Sequence, residues 1–241
     1  MYIGTASWNL PKVYAENFPE DGTHLMRYSQ NLNAVEINSS FYRDHKPATY
    51  KKWAESVPKD FRFSVKLSRL FTHTQALKVS SAELHAVLNG ILELGNKLGV
   101  LLVQLPPSLG FDSKIAEDFF DKLRVVYGGP VAFEPRHKTW LTPPALELMR
   151  RFSLSKVVAD PDPCPLPLEK NPLSQILYYR LHGSPEIYKS NYEMPELQKL
   201  QTQMQSLQEK TGALWCIFDN TTFGYATLNA LQLKELTADF L

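Results

Sequence analysis

Glu36, Lys66, Glu134, Arg136, Asp160, Arg180, His182 and Asp219 each stand at or just beyond the end of a short apolar run. Gathered at one place, they would put general acid and base groups beside fixed cations. Such a set suits a small substrate that carries a phosphate or carboxylate. Lys66, Arg136 and Arg180 would orient the anion, Glu134 or Glu36 would act as base, and His182 or His137 as acid. Asp160 and Asp219 complete the catalytic candidates. Asn38, Tyr42, Gln104, Trp140, Ser184 and Asn220 follow the same runs and are candidates for substrate contact. Glu36 and Asn38, Glu134 and Arg136, and Arg180 and His182 are each two residues apart, so in a strand both members of a pair share a face. The competing reading is structural, because barrel interiors hold polar residues and buried Glu–Arg pairs for packing reasons. Polar groups ending every run favour a ligand site.

Two other chemistries use the same residues. Glu36, Glu134, Asp160, His182 and Asp219 could coordinate Mg, Mn or Zn for an isomerase or hydrolase. Arg136 and Arg180 would compete for those carboxylates, so no metal set is assigned and the cofactor stays unknown. Alternatively the chain is a non-enzymatic barrel holding a small anion or single-stranded nucleic acid, with Trp8, Tyr42 and Trp140 as stacking platforms. The 26 basic and 25 acidic residues, a formal charge of +1, rank nucleic acid below a small anion as partner. HExxH, GxSxG, P-loop and CxxC patterns are absent, which removes the familiar zincin, hydrolase, NTPase and thioredoxin readings.

The elements that must position these groups alternate along the chain. Strands are expected at Tyr2–Ser7, Ala34–Asn38, Phe61–Lys66, Gly99–Leu105, Pro130–Glu134, Lys156–Ala159, Ile176–Leu181 and Ala213–Phe218. Helical spacing marks Thr23–Gln30, Pro47–Val57, Ser80–Leu94, Asp112–Val125, Pro143–Phe152, Pro195–Lys210 and Phe223–Leu236, with Ser81 suited to start the third. Asp160–Ser174, with Pro161, Pro163, Pro165, Pro167 and Pro172, cannot hold a regular helix. Eight strand–helix units in 241 residues fit a single TIM-like (β/α)8 barrel with a Pro-rich irregular connection between strands 6 and 7. Its strand ends would converge on one mouth. A doubly wound sheet would show GxGxxG after the first strand, where Gly4-Thr5-Ala6-Ser7-Trp8 stands instead.

With 44% hydrophobic residues, the chain can bury a large core in one domain spanning 1–241. Only Cys164 and Cys216 are present, unpaired in sequence. The first residues lack a basic start and apolar run, and no stretch is long enough to span a bilayer. A cytoplasmic location without membrane contact is the expectation.

Several segments resemble the DUF72 (YecE-like) family. They are Gly4-Thr5-Ala6-Ser7-Trp8, Val35-Glu36-Ile37-Asn38-Ser39-Ser40-Phe41-Tyr42, and Phe61-Arg62-Phe63-Ser64-Val65-Lys66 with Thr72-His73. Gln104-Leu105-Pro106-Pro107, Phe133-Glu134-Pro135-Arg136-His137 with Trp140, and Ala159-Asp160 continue the match. Tyr179-Arg180-Leu181-His182-Gly183 and the run Asp219 to Ala226 complete it. Ala6, Pro135 and Lys138 depart from the family pattern. The resemblance implies a TIM-barrel-like fold and, because the family is one of unknown function, no reaction.

Overall fold

A computed structural model describes residues 1–171, 176–208 and 212–238. Its strands are β1 (Tyr2–Thr5), β2 (Ala34–Ile37), β3 (Arg62–Lys66), β4 (Leu98–Gln104), β5 (Val131–Glu134), β6 (Leu154–Lys156), β7 (Val158–Asp160), β8 (Ile176–Leu181) and β9 (Ala213–Phe218). They form one parallel sheet in the order β6-β5-β4-β3-β2-β1-β9-β8-β7. The two ends of that order are separated in sequence by Val157 alone, whose N–H donates to the Phe133 carbonyl at 2.8 Å. One stretch of chain thus bonds β5 with its first half and β8 with its second, closing the sheet on itself. The fold is a TIM-like α/β barrel. The single sixth strand expected at Lys156–Ala159 is split by this change of partner, which makes the strand count nine rather than eight.

The described residues include seven α-helices: α1 (His24–Asn31), α2 (Pro47–Glu55), α3 (Ser81–Leu92), α4 (Ser113–Val126), α5 (Pro143–Arg151), α6 (Met194–Gln208) and α7 (Tyr225–Leu236). Local chemistry sets their starts. Thr23 accepts from the Met26 amide, and Asp112 accepts from those of Lys114 and Ile115. α3 starts at Ser81 as expected, and Ser80 caps it: its Oγ accepts from the Glu83 amide and donates to the Glu83 carboxylate at 2.5 Å. α2 and α5 open on prolines, where the missing N–H costs nothing. α7 starts two residues later than expected. The tail of the helix expected to Lys210 lies outside the described residues, as does Ser174. Between β7 and β8 the described residues carry only a single short 3-10 turn, Leu168–Lys170, as the prolines require. No described helix is long and apolar enough to cross a membrane.

Alternation along the strands sorts the core into two layers. Leu101, Val103, Phe133 and Leu181 face outward and pack under the helices. Val100, Leu102, Ala132, Val157, Tyr178 and Ile217 fill the lumen. At the floor Tyr2 and Tyr178 both stack on Trp215, with ring centroids 4.7 and 5.9 Å away. Gly99 is the extra residue where the β3–β4 register shifts, and a Cβ there would lie 2.4 Å from the Trp215 ring. The bulge needs glycine because an indole occupies the side-chain space. Above this apolar floor the lumen turns polar.

Candidate functional site

The polar layer is built around Arg180, which is fully buried on β8. Its Nε donates to Glu36 Oε2 at 3.0 Å and its Nη2 to Glu36 Oε1 at 2.7 Å, a two-point contact from β8 across to β2. Nη1 donates to Glu134 Oε2 at 2.8 Å, and Nη2 also donates to Asp219 Oδ2 at 3.1 Å. Three carboxylates from three other strands therefore converge on one guanidinium. Arg180, with no exposed surface, is engaged by these carboxylates rather than facing the open mouth.

Glu134 is equally committed. Its Oε1 accepts from Gln104 Nε2 at 2.8 Å and from Arg136 Nε and Nη2 at 2.9 and 2.7 Å. Burial would raise its pKa, but Arg180, His182 and Arg136 hold the carboxyl well below the usual range. Glu36 is fully buried, and the Tyr178 hydroxyl, 2.7 Å from Ser64 Oγ, donates to it at 3.0 Å. Burial and the adjoining Glu36 charge push the Tyr178 phenol far above its ordinary value, so it stays neutral. Both glutamates belong to the scaffold that positions Arg180, with Glu36 Oε1 and Glu134 Oε2 each accepting from that arginine.

His182 is held from both ring nitrogens: Nδ1 lies 3.1 Å from Asp219 Oδ2, and Nε2 lies 3.6 Å from Glu134 Oε1. Burial by itself would lower its pKa, but the hydrogen bonds to Asp219 and Glu134 outweigh that and raise it. Burial would raise the Asp219 pKa, yet Arg180 and His182 lower it. Asp219→Asn should therefore lower the His182 pKa, measured from the imidazole Cε1–H shift in an NMR titration. An unchanged midpoint would mean that Asp219 does not set the imidazole's charge.

Lys66 completes the layer. It is 7% exposed, and its Nζ lies 4.1 Å from the Phe41 ring centroid. Among the described residues it has no hydrogen-bond or ion-pair partner, because the neighbouring carboxylates are already occupied. Burial, joined by the Arg180 charge, lowers its pKa to about 8. The Tyr188 ring meets His182 edge-on at 5.9 Å, and its backbone takes a left-handed φ of 68°. Its N–H donates to the His182 carbonyl and its own carbonyl accepts from Thr222, which holds that unfavourable conformation over the mouth.

The remaining expected contacts divide. Gln104 joins the cluster through Glu134, and Asn38 lies two residues after Glu36 with a buried Oδ1 that has no hydrogen-bond partner among the described residues. Tyr42 is 72% exposed on the rim. Ser184 begins the loop after β8. Four residues go elsewhere. Asp160 lies on the outward face of β7, because lumen-facing Val157 and Ala159 put position 160 on the helix side; there it accepts from the Tyr192 hydroxyl at 2.8 Å. His137 caps the turn Lys138–Leu141 and bonds Thr139. Trp140 is 1% exposed, packs against Phe133 and Phe111, and donates to the Leu109 carbonyl. Asn220 ties the Ser190 carbonyl to Asn229 Oδ1 rather than facing the mouth. Tyr178 and Ser64 were missed, although their even spacing with Arg180 and Lys66 marks both as lumen residues.

The family model "Protein of unknown function DUF72" matches residues 2–240. UPF0759 protein YunF of Bacillus subtilis is 25% identical, over 98% of this chain and 94% of its own length. A DUF72 family protein of Thermotoga maritima MSB8 is 25% identical with a TM-score of 0.79, covering 98% of both chains. A DUF72 family protein of Enterococcus faecalis V583 is 20% identical with a TM-score of 0.80, covering 98% of this chain and 95% of the other.

Proposed function

The chain belongs to the DUF72 family, whose description assigns no reaction, and from the chemistry at its mouth we propose an enzyme that moves a proton on a small anionic substrate. One contrast carries the reading. Arg180 is exhausted by the scaffold, while Lys66 Nζ and Arg136 Nη1 have no partner among the described residues of the cluster in which Asp219 holds the His182 ring. Arg136 has 24% of its side chain exposed, the natural first contact for an arriving phosphate or carboxylate. His182, with its raised pKa, is the acid. Nδ1 stays on Asp219, while Nε2, 3.6 Å from Glu134 Oε1 and so beyond a close hydrogen bond, gives its proton to the bound molecule. Asp219 aligns the ring, and Glu134 steadies its far nitrogen.

A metal-dependent reading draws less support. The carboxylates point at Arg180, and among the described residues no group of three His, Cys, Asp or Glu side chains is arranged to hold an ion. A stacking groove for nucleic acid is weakened by the burial of Trp140 and by the Trp8 ring, which meets Trp53 edge-on at 5.0 Å.

Thermal-shift screening against sugar phosphates, organic acids, divalent metals and oligonucleotides tests the reading. Sugar phosphates or organic acids should raise the Tm, and in Arg136→Met the rise should vanish when each variant is compared with its own unliganded Tm. Stabilisation by metals alone, or by oligonucleotides alone with steep loss in salt, would overturn it.

A further inference from the structure

We propose that Lys66 is a nucleophile: its amine condenses with the carbonyl of a small anionic keto acid or sugar phosphate to form an iminium. This chemistry presupposes the mouth reading above and names the substrate class within it. A lysine beneath three carboxylates would ordinarily be an ion-pair partner. Here Glu36, Glu134 and Asp219 are turned to Arg180, Arg136 and His182, so the ammonium gains no direct contact from them. What touches Lys66 is the Phe41 ring, and burial and the Arg180 charge together outweigh the pull of the three carboxylates on its ammonium. Desolvation beside an aromatic surface, together with a neighbouring cation, is the combination that keeps a lysine neutral enough to attack. The position is also appropriate. Lys66 is the last residue of β3, on the lumen face at the mouth, and its backbone carbonyl is anchored by the Ser40 hydroxyl at 2.6 Å.

The step balances without a redox partner. Loss of a proton from the ammonium to water frees the nitrogen lone pair, which bonds to the carbonyl carbon while the C=O π pair moves to oxygen. A second proton leaves the nitrogen as the oxygen is protonated, giving a carbinolamine. His182 donates to that hydroxyl, the C–O bond breaks, and water leaves. The nitrogen lone pair then forms the C=N bond, leaving an iminium with one N–H. Arg136 holds the substrate's phosphate or carboxylate throughout.

The full chain is incubated with pyruvate, glyceraldehyde 3-phosphate or dihydroxyacetone phosphate and sodium cyanoborohydride, which reduces the iminium to a stable secondary amine. Intact mass and peptide mapping locate the adduct. Lys66 should be labelled at least about tenfold faster than any other lysine at pH 7, since a lower pKa leaves more free amine. Its labelling rate should level off above about pH 8, whereas surface lysines continue to gain toward pH 10. Lys66→Arg should lose the adduct, and the wild-type pH profile decides the matter even if that variant does not fold. Label spread over surface lysines, or no label at all, overturns the proposal. If anions still raise the Tm in that case, the anion site stands and only the lysine chemistry falls. If they do not, both fall.

Discussion

Arg180→Met is expected to cost the barrel about 3–5 kcal/mol at pH 7, because it leaves Glu36, Glu134 and Asp219 buried without their shared counter-charge. The effect should exceed that of emptying an equal volume of apolar core, since each abandoned carboxylate keeps its desolvation penalty. Arg180→Lys should recover only part of the loss, because a point charge cannot serve three carboxylates with a planar fork. Urea midpoints at pH 7 and pH 4.5 test the cause. Protonation of the orphaned carboxyls should narrow the gap between wild type and Arg180→Met at the lower pH. An equal gap at both values would mean that Arg180 matters for packing rather than charge.

The same cluster should give a stability optimum between about pH 5 and 6.5. Glu134 and Asp219 have folded pKa values below their ordinary 4.5 and 3.8, so the unfolded chain binds more protons in acid. Their contribution is whole above the ordinary values and is lost as pH falls through them toward the folded ones. Each proton taken up costs about 1.4 kcal/mol per pH unit in that range. His182 runs the other way. Its folded pKa is raised from 6.5, so its contribution is whole below 6.5 and is lost as pH rises through the folded value. Lys66, lowered to about 8, returns stability only between about pH 8 and its ordinary 10.5. Unfolding free energies from pH 3 to 9 should fall on both sides of the optimum. In His182→Gln the acid limb should remain and the decline above pH 6.5 should flatten. A wild-type profile that is flat from pH 5 down to pH 3 would refute the charge assignment.

How far the sequence revealed this site depended on strand alternation. Two-residue spacing correctly joined Glu134 to Arg136 and Arg180 to His182, and the polar ends of the apolar runs marked the mouth. Burial on both faces hid Tyr178, because a tyrosine inside Ile176–Leu181 reads as packing until its hydroxyl is seen to reach Glu36. Asp160 was misplaced for a related reason. Val158 and Ala159 are both apolar, so composition could not tell the lumen face of that strand from its outer face. His137 and Trp140 follow β5 closely enough to suggest the mouth, but the chain there turns through Lys138–Leu141 and spends one ring on a cap and the other on the core. The roles within the cluster were legible least of all. Residue type cannot say which of several carboxylates a buried arginine will consume.

The exchange of partners at Val157 bears on what the barrel can survive. A break in the connection 161–171 would leave two pieces, one carrying β1 to β7 and the other β8 and β9. Each would have two raw edges, with unpaired amides and carbonyls along β1 and β7 on one piece and along β8 and β9 on the other. Those edges match only each other, so a nicked chain has one route away from aggregation, which is reassembly of both seams at once.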